Sequence, residues 1–276
     1  MANGENRERR AAVYRAGVTP DVFPWEQHPI PPLLYKYFPP ERFHVLTDCE
    51  VRFSQRQVFE DRYELLPDVA QFGTADEMLE FFETDEVLRR HPPALRRAVV
   101  NHILSSSERH AALIADTQSW LTGPNEFVVL CLSETPASDR MWHEYAENEH
   151  GFVVAFNTQH PAFRSLHVPG RIGKVEYSDQ PFPSFLSSYG ANAFFRKRTR
   201  YSYEEEWRSI RHTGRFAAEQ VRMVDGLPIY LGRFDPACVS AILIRPGCRV
   251  EWELRHLLAI DARYRHVLVV DSSNIV

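Results

Sequence analysis

Three consecutive carboxylates, Glu204, Glu205 and Glu206, stand between aromatic residues and arginines in RYSYEEEWRSIR, Arg200 to Arg211. Like charges this close are costly unless a cation, a proton or a ligand resolves them, a condition shared by acid–base and charge-stabilising sites. Read as a strand, the stretch puts Glu204, Glu206 and Arg208 on one face and Tyr203, Glu205 and Trp207 on the other. Two carboxylates and a guanidinium then face one space. Read as a helix, Tyr203, Trp207 and Ile210 form a buried stripe and the glutamates face solvent. Periodicity alone admits both.

The charges around this centre are unevenly placed. Arg196, Lys197, Arg198 and Arg200 precede it and Arg208, Arg211 and Arg215 follow it. Such a rim suits a phosphate-bearing ligand held by forked guanidinium contacts, or else a solvated face balanced by the glutamates. Lys36, Lys174 and Lys197 are the only lysines among 32 cationic residues, which makes a lysine less apt to be surface filler. The formal net charge of -5 argues against wholesale coating by nucleic acid. Cys49, Cys131, Cys238 and Cys248 are scattered, with neither zinc-ligand spacing nor a disulfide framework, and read as reduced, mostly buried thiols. Glycine-rich phosphate loops and Gly-X-Ser-X-Gly are both missing, which sets aside a nucleotide-loop fold and a serine hydrolase.

The elements that must position these residues can be read in chain order. Residues 1–32, with the proline-punctuated run VTPDVFPWEQHPIPP, read as an N-terminal arm, and 33–276 as a single α+β domain. Strands are expected at 33–38 (LLYKYF), 50–54, 127–132 (FVVLCL), 151–156, 171–177, 239–244 and 266–270. Between 74 and 122 the period turns helical, with a capping box at Thr74 and Glu77 and a break at Pro92 and Pro93. This stretch reads as a helical insertion. Helices are also expected around Met141, Trp142 and Tyr145 and at 251–260. Interleaved strands and helices without a phosphate loop imply a mixed, mainly antiparallel sheet.

Four blocks together resemble a bacterial domain family: Lys36-Tyr37; Phe53-Ser54; Cys131-Leu132-Ser133 with Met141-Trp142-His143-Glu144-Tyr145-Ala146 and Gly151; and Tyr203-Glu204-Glu205-Glu206-Trp207-Arg208. The layout is also distantly similar to ADP-ribosyltransferases. That resemblance favours the strand reading of 203–208 and implies an NAD-consuming enzyme that modifies nucleic acid or protein, as a toxin or defence effector. It implies Glu206 as the catalytic carboxylate with Glu204 as its companion. Lys36 then takes the early cationic position, beside Tyr37, and Ser133, Trp142 and Tyr145 the middle one. Breaking the nicotinamide–ribose bond leaves an oxocarbenium-like sugar that a fixed carboxylate stabilises. Lys36 or Arg208 would hold the pyrophosphate and Trp142 or Tyr145 would stack on the nicotinamide.

Two other readings stand beside it. One is a nuclease in which Glu204, Glu206 and Asp61 or Asp139 bind magnesium, against which the sequence shows no lysine next to the carboxylate pair. The other is a sensor or interaction module whose cluster is an ion-pair network with Arg208 and Arg200. No apolar run reaches the roughly 18 residues of a membrane span, and the N-terminus lacks a signal-peptide core, so a cytoplasmic protein without membrane contacts is expected.

Overall fold

The computed structural model describes residues 28–61, 64–65, 69, 71–85, 88–121, 127–167, 172–186 and 192–272, the side chains of 117–121, 192 and 193 excepted. The expected N-terminal arm lies outside these residues as far as position 27. Two compact units emerge. Among described residues, one comprises 61–124 and 178–196, and the other 28–60, 125–177 and 197–272. The expected helical insertion falls in the first unit, which takes a second segment from beyond 177 as well.

In the first unit, helices run over Ala75–Thr84, Pro93–Leu104 and Ser107–Leu121. The first opens with the expected capping box: Thr74 Oγ1 accepts from the Glu77 amide at 3.2 Å, and Glu77 Oε2 accepts from the Thr74 amide at 2.8 Å. Phe72, Met78, Phe82, Val100 and Phe185 form its buried centre, with Phe72 and Phe185 stacked at 5.5 Å.

Strands are numbered along the chain as β1 (Leu33–Phe38), β2 (Glu50–Phe53), β3 (Phe127–Ser133), β4 (Phe152–Asn157), β5 (Ile172–Lys174), β6 (Glu176–Tyr177), β7 (Arg196–Lys197), β8 (Glu206–His212), β9 (Val221–Val224), β10 (Leu227–Arg233), β11 (Val239–Ile244) and β12 (Leu268–Asp271). The second unit is built on a seven-stranded sheet in the order β12-β11-β4-β1-β3-β8-β5, and on a three-stranded sheet in the order β2-β10-β9. In the large sheet only β11 and β12 pair in parallel. The expected mixed, mainly antiparallel α+β architecture is therefore what the chain adopts.

Both faces of the large sheet are covered, which is why FVVLCL and FVVAF are continuous apolar runs and not alternating ones. One face carries the larger core, including Leu34, Leu132, Phe156, Trp207 and Leu254 of the helix Glu251–Ile260. The other packs Tyr37, Val153 and Leu243 against Met141 and Trp142 of the helix Asp139–Tyr145. Ser138 caps that helix by accepting from the Met141 amide.

Two departures from the expected layout bear on the site. The stretch 199–206 is not one strand: Thr199–Glu204 is a 3-10 turn, Glu205 is left-handed at φ 42°, and β8 begins at Glu206. The hairpin of β9 and β10 adds two strands to the expected set, and its turn, Asp225-Gly226 with both φ positive, is the strongest short-range hairpin signal in a sequence.

Between β1 and β3 the sheet opens. Their register is held at Tyr35 opposite Ser133, and the next backbone pairing of β3 on that side comes from Ser54, which exchanges bonds of 2.7 and 2.9 Å with Val129. The end of β2 thus enters where β1 departs, and the two sheets meet around a gap.

Candidate functional site

Glu204 and Glu206 come together in the second unit, though by a different route from plain alternation. The left-handed Glu205 reverses the chain for one residue, so Glu204 approaches Glu206 from the end of the 3-10 turn. Lys197 bridges them, its Nζ 2.6 Å from Glu204 Oε2 and 3.3 Å from Glu206 Oε2. Arg208 completes the group with a two-pronged contact on Glu206, Nε to Oε1 at 2.8 Å and Nη2 to Oε2 at 2.9 Å. All four are nearly sealed from solvent, with exposures of 4% for Glu204, 2% for Glu206 and 0% for Arg208, and 7% for the Lys197 side chain.

The two carboxyls respond in opposite directions. Burial, then the charge of Glu206, raises Glu204 to about 7, against which Lys197 and the Tyr145 hydroxyl work incompletely. Burial pushes Glu206 the same way, but Arg208 and Lys197 outweigh it and hold this carboxyl well below the usual range. Their surroundings push the two carboxyls apart in proton affinity, the division that acid–base sites exploit.

Tyr145 connects the pair to open space. Its hydroxyl donates to Glu204 Oε1 at 2.9 Å, and the residue, 42% exposed, stands on the wall of a cavity of about 200 Å³. Lys36 and Tyr37 line the same cavity. Lys36 Nζ donates to the Cys131 carbonyl at 2.8 Å across the gap between β1 and β3, and burial lowers its proton affinity against the pull of Glu206 and Glu204.

Comparison with known protein families, with characterised proteins and with solved structures returned no match.

Three residues that the resemblance placed on a ligand stand elsewhere. Trp142 has no exposed surface: its indole nitrogen donates to the Pro136 carbonyl at 2.8 Å and its ring packs edge-on to Tyr37 at 5.6 Å. It is a core residue because its helix turns that face into the sheet. Arg208 is also fully buried, and its contact with Glu206 removes it from any pyrophosphate. Ser133, 1% exposed, donates to the Glu204 carbonyl at 2.7 Å and the Thr135 carbonyl at 3.0 Å, so it fixes the turn that presents Glu204. Tyr37 is 7% exposed and donates to the Thr135 carbonyl at 2.9 Å.

Lys197 is the member that motif reasoning missed. Its signal was rarity, since lysine is scarce in this chain, and the observation that no lysine neighbours the carboxylates holds along the sequence but not in space. For a divalent metal the residues fit less well: among the described residues there is no group of three or more His, Cys, Asp or Glu side chains able to hold an ion. Asp139 is on the surface, paired with Arg245 at 2.7 Å. Arg200 donates to the Tyr201 hydroxyl at 2.8 Å, its guanidinium 4.7 Å from that ring's centre. No helix of the described residues is long and apolar enough to cross a membrane. All four thiols are free, and burial raises each, Cys238 to about 12.

Proposed function

We propose that the protein is an NAD-consuming enzyme of the ADP-ribosyltransferase kind, cleaving the nicotinamide–ribose bond and transferring the sugar to a nucleic acid or protein in the cytoplasm, as a toxin or defence effector. The observation that carries this reading is the close pair Glu204 and Glu206, bridged by Lys197 and joined through the Tyr145 hydroxyl to a cation-lined cavity. Glu206 is the carboxylate this reading assigns to the oxocarbenium-like sugar, held ionised by Arg208 and Lys197 behind Glu204. Glu204, near neutrality, accepts the acceptor's proton by way of the Tyr145 hydroxyl, which transfers one proton as it receives another. With Trp142 buried, the exposed ring of Tyr145 is the stacking surface. A cavity of about 200 Å³ suits a phosphate with its ribose, leaving the rest of the dinucleotide at the mouth.

The near-complete burial of both carboxylates favours a second reading, a non-catalytic binding module in which the Glu206–Arg208–Lys197 group is structural. Nicotinamide release from NAD separates the two, measured with and without DNA, RNA or cell lysate. Wild-type protein should release nicotinamide and Glu204→Gln should be slower by about 100-fold or more, the usual worth of a general base. If wild type releases none with any additive while still folding normally, the enzymatic reading is wrong and the binding module stands.

A further inference from the structure

The cavity beside Tyr145 has a cationic end whose residues, Lys36 apart, no motif singled out. Arg42 follows β1 on the turn Pro40–Arg42, Arg52 lies in the middle of β2, and Arg222 comes from β9. With Lys36 these put four cations on one wall system, against the single carboxylate of Glu50. Glu50 is already engaged by Arg222 at 2.7 Å and by Arg233 at 3.3 Å. Among the described residues no carboxylate lies within ion-pair distance of Arg42, Arg52 or Lys36. Arg52 Nε is buried with no hydrogen-bond partner.

A buried guanidinium nitrogen without an acceptor, as in Arg52, is costly unless a ligand supplies one, and the exposed Arg42 adds a second cation beside it. Burial and the charge of Arg42 both lower the proton affinity of Arg52, as expected of cations crowded without an anion. Strand placement makes the crowding rigid: Arg52 is opposite Leu231 in the β2–β10 pairing, and Arg222 is opposite Ile229 in the β9–β10 pairing. A tetrahedral oxyanion matches such a set because each guanidinium offers a fork of donors to two of its oxygens. The Ser54 hydroxyl, also on the lining, adds a neutral donor.

We propose that this cavity binds a phosphate group, as a phosphomonoester or a diphosphate, with Arg52 and Arg42 as its principal donors and Lys36 at its inner end. The proposal stands on the cavity's charge and geometry and holds whether or not NAD is cleaved. Calorimetric titration at constant ionic strength tests it, with inorganic phosphate, pyrophosphate and ADP-ribose as separate titrants. Pyrophosphate is expected to bind at one site per chain, and Arg52→Gln and Arg42→Gln are each expected to weaken it about 10-fold or more. Arg42 is exposed, so its variant reports binding even if Arg52→Gln folds poorly. Arg255→Gln, on the surface of the helix Glu251–Ile260, should bind as wild type does. Tighter binding of ADP-ribose than of pyrophosphate would identify a nucleotide as the source of the phosphate, and equal binding a bare phosphate, both in support. No binding by wild type at millimolar titrant, or binding unchanged in both arginine variants, would overturn the proposal.

Discussion

Burial acts alike on Glu204 and Glu206, but only Glu206 has a guanidinium in two-pronged reach, so the two carboxyls part company. Linkage turns that difference into a pH profile. Glu204 holds its proton more tightly folded than unfolded, so its contribution is complete below about pH 4.5 and is lost as the pH rises to about 7. Glu206 runs the other way, its contribution present above about pH 4.5 and lost as the pH falls through its depressed value. Melting temperatures of wild type should therefore decline between pH 4.5 and 7, by up to about 3 kcal/mol of stability from Glu204. Glu204→Gln should flatten that decline, and a parallel profile in the variant would contradict the assignment. Glu206→Gln should instead lose about 3–5 kcal/mol at neutral pH in chemical denaturation, because Arg208 is left buried without its counter-charge. Glu204 is for that reason the cleaner position for a test of catalysis.

Elements depend on a few positions where the backbone leaves little choice. Gly151 precedes β4 where a Cβ would lie 2.0 Å from the Phe38 carbonyl oxygen, so the strand can start beside β1 only without a side chain there. Gly151→Ala should cost at least about 2–3 kcal/mol in denaturant titration, since backbone and not a movable side chain must yield. Glu205, at φ 42° and ψ 52°, holds the step that brings Glu204 back to Glu206. Its exposed side chain makes the backbone the issue: Glu205→Val should destabilise by about 1–2 kcal/mol, because a β-branched residue tolerates the left-handed region poorly. A Glu205→Val protein as stable as wild type would show that this step carries little strain.

At the scale of the molecule, the two units have separate interiors, one helical around Met78 and Phe82 and one built on the large sheet. Within that sheet β4 is paired on both sides, with β1 and β11, and its residues 152–156 are buried. β12 is an edge strand with Leu268 69% exposed. Amide hydrogen exchange should find the β4 interior protected to the level of global unfolding and β12 and β9 exchanging through smaller openings. Equal protection across edge and centre would imply that both edges are covered in solution.

Much of this architecture was legible from local order. Apolar runs such as FVVLCL and GFVVAF must be buried wherever they lie, and the Thr74–Glu77 box and the paired prolines act within a few residues, so sequence alone placed these elements and the α+β class. It also singled out the Glu204–Arg208 cluster, because adjacent like charges demand a resolution. What resolves them is another matter. Glu204 returns to Glu206 through a left-handed residue that no periodicity encodes, and Lys197 meets the two from β7, while Trp142 and Arg208 turned inward because packing partners distant in sequence occupied their surroundings. The cavity required β1 to part from β3 and a hairpin from 221–233 to lie alongside β2. Strand pairing between residues far apart in the chain carries no local signal, so only the tertiary structure could decide which side chains share that space.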